Sequence, residues 1–221
     1  EKMLPLTILR REINIIKGTM SQRDLKFVND QEADDTGMKP HKSSSSIHSE
    51  YVSLLKTWAR CICAKRLVSI YDFSLSFADG RALCALVHFY HPELVSKVSI
   101  NDATLSNRDG LKASYACRLN NNRWSHNNNG FQTNMLKTEY NKLLSNENTN
   151  FKIFNNAIKA LGSVPATLGS NHNSMCIPEE KSVIVCVTYL CARLLESSRE
   201  THAAIKLQIC WRAFQRKKYL A

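Results

Sequence analysis

Apolar residues recur at three- and four-residue steps along most of this 221-residue chain, and no run alternates apolar with polar residues long enough to make a strand. That periodicity restricts the fold class to all-α. The first stripe, Leu6, Leu9, Ile13, Ile16 and Met20, leaves Arg10, Arg11, Glu12 and Lys17 facing outward. It predicts a lone linker helix or coiled-coil-like arm over residues 1–28. Residues 29–49 are polar, with Asp34, Asp35, Gly37, Pro40 and four consecutive serines ending at Ser46, and they read as a flexible serine-rich linker. A strong helix is expected from Ser49 to about Arg66, with Leu54, Leu55, Trp58, Ala59, Ile62 and Cys63 inward and Lys56, Arg60 and Lys65 outward. Trp58 is its core anchor. The turn Ala78-Asp79-Gly80 then leads into a nearly all-apolar helix that includes Leu83 and Leu86. This helix stops at His91-Pro92, because proline disfavours a helical residue before it.

From about 98 to 137 the periodicity fails and the composition turns to asparagine, Asn120 to Asn122 and Asn127 to Asn129, which reads as a disordered insertion. Helical spacing returns over 139–161 with Tyr140, Leu143, Leu144, Phe151, Phe154, Ala157, Ile158 and Leu161, and Gly162 is placed to cap it. At Ile177-Pro178-Glu179-Glu180-Lys181, a proline followed by two acids favours a helix amino end. Val183 to Leu195 is apolar all round, as for a buried central helix, and the stretch to His202 is polar. The organisation expected is therefore a helical domain at 50–196, interrupted at about 98–137, and a final helix at 197–221.

Several chemistries find no support in these residues. The eight cysteines form no CxxC pair and read as reduced, buried thiols, and His88-x-x-His91 lacks the second pair that a tetrahedral metal site needs. No metal is expected. Both histidines sit at a helix carboxyl end, where an imidazole is electrostatically comfortable, and no nucleophile is arranged with them. Asp79 reads as a capping acceptor at a turn, and adjacent Glu179 and Glu180 point apart on a helix. The seven glycines show no phosphate-cradling spacing. The chain reads as no enzyme, with no catalytic residue and no cofactor. No membrane-spanning run or signal segment is visible, so a soluble, intracellular protein is expected, and both ends read as cut from something larger. The net charge of +11 calls for an acidic partner: nucleic acid, an acidic filament, or an acidic protein such as calmodulin.

The last segment carries the most information. Ala204, Leu207, Trp211 and Phe214 fall on one seam, surrounded by Lys206, Arg212, Arg216, Lys217 and Lys218. Such a surface suits an acidic, methionine-rich clamp. Leu207-Gln208, Arg212, Lys217 and Leu220 resemble an IQ motif, with Ala213 where glycine is usual. The resemblance implies a long IQ-type helix that binds calmodulin, in its calcium-free form, or a related light chain.

In the helical body, four features together resemble the calponin-homology family: Trp58; Asp79-Gly80-Arg81 followed by Leu83 and Leu86; Leu161-Gly162 with Pro165; and Pro178 through Lys181. Glu179 stands where aspartate is commoner. The resemblance implies a compact helical docking module without a catalytic site, with microtubules or actin as filament partners. The order of arm, linker, domain with a long insert and immediate IQ segment is similar to a family of mitotic-spindle proteins. This implies spindle-pole partners, a role in cell division, and residence in the cytoplasm, cytoskeleton and spindle, with the nucleus as an interphase site. The competing reading is nucleic-acid binding by the basic tail and the Arg118 to Arg123 region. Against it, no exposed aromatics are interleaved with the basic residues and no reading helix is evident.

Overall fold

A computed structural model describes residues 5–36, 46–106, 130–162, 164–165, 167–169 and 172–197, together with Leu207 and Trp211. Six helices of more than one turn carry these residues: α1 Leu6–Gly18, α2 Gln22–Thr36, α3 Ser46–Cys63, α4 Arg81–Tyr90, α5 Gly130–Leu161 and α6 at 180–197. Single 3-10 turns at Ala64–Arg66, Leu75–Phe77 and Lys97–Ser99 mark the connections. The only strand-type pairing among the described residues is an isolated bridge between Asn173 and Cys176, so the architecture is all-α.

The core is built around α4 and the second half of α3. In α4 every residue from Arg81 to Val87 is buried, and only the last turn, His88 to Tyr90, is partly exposed. The end of α3 and the first residue of the turn after it are similarly enclosed, from Trp58 to Ala64. Helix α5 lays Phe151, Phe154, Ala157, Ile158 and Leu161 against them. Helix α6 contributes Val183, Cys186, Val187, Leu190, Cys191, Leu194 and Leu195. Helix α5 ends where Gly162, at φ +66°, donates its N–H to the Ile158 carbonyl, a glycine C-cap. A less usual stop closes α3. Leu67 holds a left-handed φ of 56° while its N–H meets the Ala64 carbonyl and the N–H of Val68 meets that of Cys63, a Schellman pattern with leucine in the glycine position.

The structure departs from the sequence expectation in five places. The leading segment is neither a lone helix nor a coiled-coil arm. It bends at Gly18-Thr19, where the Thr19 hydroxyl donates to the Ile16 carbonyl at 2.8 Å, and restarts after Ser21, whose hydroxyl accepts the Asp24 N–H at 3.2 Å. Leu9, Ile13 and Ile16 of α1 and Val28 of α2 lie in the same apolar cluster as Trp58. The expected linker from 29 therefore begins as helix, and Gln31 is buried, with its Oε1 accepting the Ile70 N–H at 2.8 Å. The insertion is narrower than 98–137. Ile100, Thr104 and Leu105 are buried and α5 starts at Gly130, which leaves 107–129 outside the described residues. Helix α6 is buried on one face only, with Val185 41% exposed. Finally, Arg60 points inward, where its Nε donates to the Ile70 carbonyl at 2.7 Å.

Docking of α1 can be tested by truncation. Ile13→Ala is expected to lower the stability of the whole domain by about 2–5 kcal/mol in urea unfolding, since it opens a cavity in the shared core. An independent arm would leave the midpoint unchanged.

Candidate functional site

No described group of three or more His, Cys, Asp or Glu side chains could hold a metal ion. The buried thiols are poor nucleophiles, because burial pushes Cys61 and Cys186 up to about 11 and Cys63 and Cys84 up to about 12. The buried carboxylates face protein donors. Asp79 Oδ1 accepts the Arg81 N–H at 3.0 Å, and its Oδ2 takes Arg81 Nε at 2.6 Å and the Thr104 hydroxyl at 2.9 Å. Glu147 receives the N–H groups of Leu105 and Ser174, each at 2.8 Å, together with the Ser174 hydroxyl. Burial raises its pKa against the lowering effect of these donors. Such saturated acids hold loops rather than move protons.

Asn150 completes this network at the base of the insertion. Its Nδ2 donates to the carbonyls of Asp79 and Asn101, and its Oδ1 accepts the Asn101 N–H at 2.9 Å. Gly80 starts α4 at φ +73°, and a Cβ there would sit 3.0 Å from the Asn150 Cβ and 3.2 Å from the Phe151 nitrogen. Glycine is required both by the backbone and by the approach of α5. Leu83 and Leu86 are buried beside it. Sequence reasoning missed Glu147, Asn150 and Thr104. The clue was the gap between Leu144 and Phe151 in the α5 stripe, where Glu147 and Asn150 carry the four-three-four steps from Leu143 to Phe154 with polar side chains.

Trp58 is fully enclosed. Its Nε1 donates to the Tyr90 hydroxyl at 3.1 Å, and that hydroxyl donates to Glu12 Oε1 at 2.8 Å, so a chain of hydrogen bonds runs from the core anchor to α1. The Tyr90 phenol is held well above its usual range, first by burial. At the other end of the domain, Pro178 is buried ahead of α6 and Lys181 is exposed on its first turn. His91 meets Glu93 Oε1 at 2.6 Å and the Ser197 hydroxyl at 2.7 Å, which ties the end of α4 to the last described turn of α6.

Of the calmodulin-binding residues expected from the sequence, Leu207 and Trp211 are described. Both are helical and exposed, at 71% and 60%. Ala204, Gln208, Arg212, Phe214, Lys217 and Leu220 lie outside the described residues, as do Arg118 and Arg123.

Comparison with known proteins places this geometry among relatives. The calponin homology (CH) domain family profile matches residues 52–194. The abnormal spindle-like microcephaly-associated protein of Homo sapiens is 32% identical over 224 residues, 97% of this chain and 6% of that protein. The homolog in Felis catus is 31% identical over 223 residues, and that in Bos taurus is 32% identical over 229 residues, 98% of this chain and 7% of that protein. The chain thus spans a small part, about 6–7%, of the curated relatives it matches. No solved structure matches it.

The network at the base of the insertion yields an expected outcome. Asn150→Ala strands the Asp79 and Asn101 carbonyls in a buried site and should cost at least about 2 kcal/mol in chemical denaturation. Asn156→Ala, at an exposed position of the same helix, should leave the midpoint where it is.

Proposed function

The chain belongs to the calponin homology (CH) domain family, and from that premise we propose that it is the docking portion of a non-enzymatic cytoskeletal adaptor of the mitotic spindle. In this reading the helical body at 50–196 associates with microtubules or spindle-pole proteins, and the helix after His202 recruits calmodulin. The observation that carries the spindle assignment is the alignment over nearly the whole chain with relatives named for an abnormal spindle phenotype. The net charge of +11 supports an acidic filament partner, because it raises the encounter rate with anionic surfaces. Actin is the alternative filament within the same class.

Calmodulin recruitment draws support from Leu207 and Trp211, two large apolar side chains one helical turn apart and both exposed. An exposed tryptophan beside a leucine on a basic helix has the form of an anchor pair for a groove. Gln208 and Arg212 would meet lobe backbone and acids, while Lys217 supplies steering charge. Binding would stiffen the segment that follows α6.

Titration of the full chain with calmodulin, once with calcium and once with chelator, tests the second half of this proposal. Binding that persists in chelator is expected, and Trp211→Ala should weaken it by at least about 2 kcal/mol. Affinity unchanged by Trp211→Ala would remove that residue as an anchor, and no binding in either condition would remove calmodulin as the partner. Cosedimentation with microtubules and with actin decides the filament. Pelleting with microtubules alone is the expected result, and pelleting with actin alone would transfer the function to the actin reading.

A further inference from the structure

Where the end of α3 faces the end of α4, the surface opens into a groove of about 310 Å³. This is at the low end of the volume range of small-ligand sites, roughly 300–1,000 Å³. Its floor is apolar: Ile62 and Ala85 are buried, and Phe89 and Pro92 line the mouth. Its rim is basic, formed by Lys65, Arg66, His88 and Lys97. Lys65 and Lys97 are exposed, and Val98 beside Lys97 is 94% exposed, an apolar side chain left in water at the edge of a basic rim.

Arg66 shows which chemistry the rim accepts. Its side chain is only 9% exposed, its Nη1 reaches the Lys97 carbonyl at 3.4 Å, and its Nη2 holds both oxygens of Asp102 at 3.0 Å. Its Nε is buried with no hydrogen-bond partner. The guanidinium is therefore fixed in position, bears one unmatched N–H, and already carries a carboxylate supplied by the chain itself. That carboxylate is 60% exposed, at the rim rather than in the floor. Lys65 Nζ stands 4.5 Å over the Phe89 ring, which keeps a second cation close to the apolar floor.

We propose that this groove is a docking site for an acidic peptide segment of a partner protein. An apolar side chain of the peptide enters against Phe89 and Pro92, and flanking carboxylates meet Lys65, Lys97 and Arg66. Asp102 occupies part of the site as an internal competitor. Charge complementarity selects the partner, and the apolar floor separates a peptide from a plain polyanion, because burial of a side chain gives affinity that salt does not screen. The site goes beyond the filament reading, since a peptide needs neither a filament nor calmodulin to bind there.

The experiment uses the full chain and a fluorescein-labelled probe peptide of one phenylalanine flanked on both sides by glutamates, followed by fluorescence anisotropy at low and at physiological salt. Lys65→Glu with Lys97→Glu, both at exposed positions, is expected to weaken binding at least about tenfold with an unchanged unfolding midpoint. Asp102→Asn is expected to tighten it by about threefold or more. Glu139→Gln makes the same charge change at an exposed position of α5 outside the groove and should have no such effect. Equal responses to Asp102→Asn and Glu139→Gln would show attraction by net charge alone and overturn the site. Phosphatidylserine vesicles bound in preference to the peptide, with the same sensitivity to the lysine pair, would overturn the peptide in favour of a lipid surface. Because the peptide is measured alone, its failure to bind would overturn the groove as a peptide site and leave the filament and calmodulin readings standing. Cosedimentation unaffected by the lysine pair would separate the groove from the filament contact.

Discussion

Helix α4 is buried from Arg81 to Val87, and the arrangement of the other helices follows from what enclosing it requires. Burial of each residue from Arg81 to Val87 is favourable only if neighbours close over all of its faces, at about 25 cal/mol per Å² of apolar surface removed from water. Helices α3 and α5 pack directly on it. The contact with α5 is close because Gly80 has no side chain, so Asn150 and Phe151 come to where a Cβ would otherwise stand. A ten-residue helix is short for this duty. Its amino end is fixed by Asp79, which accepts the Arg81 N–H and pairs with the Arg81 guanidinium, and its carboxyl end by the Val87 carbonyl receiving the His91 N–H.

A second consequence is that the insertion can be long without loosening the domain. Its two roots, Asn101 to Ser106 on one side and α5 on the other, are joined by Asn150 and Glu147 through hydrogen bonds to backbone atoms of Asn101 and Leu105. Loop-closure entropy grows only with the logarithm of chain length, so the cost of joining these two roots depends little on how many residues separate them. Ser174, which also bonds Glu147, brings the loop before α6 into the same cluster. One buried acid thus joins two segments to α5, and it is satisfied by them.

How much of this was legible in the sequence depends on whether the relevant side chains were apolar. Trp58, the α4 run and the α5 stripe from Phe151 to Leu161 announce themselves by period, and each is buried as that period requires. The part of helix α2 past residue 28 was hidden because it reaches the core through Gln31, and a glutamine offers no hydrophobic signal. Arg60 was placed outside for the same reason, although the Ile70 carbonyl gives its guanidinium a reason to turn inward. The polar network was invisible as a whole, since it depends on partners more than forty residues apart, such as Leu105 and Glu147. The uniform apolarity of α6 misled in the opposite direction. Val185 is exposed, and single apolar residues on a surface are ordinary.

The docking of α1 bears on what the family match alone would suggest. The CH profile begins at residue 52, yet Leu9, Ile13 and Ile16 fill part of the same core, and Glu12 accepts the hydroxyl that Trp58 in turn donates to. A tryptophan N–H buried in a small domain needs an acceptor, and the phenol that provides it needs one for its own proton. The first is met by Tyr90 of α4, and the second only with Glu12 of α1 in place. The unit of structure is accordingly longer than the stretch the family profile matches. Helix α6 belongs to the same core and is tied at Ser197 to His91, so the first and last described helices are held by one set of buried side chains.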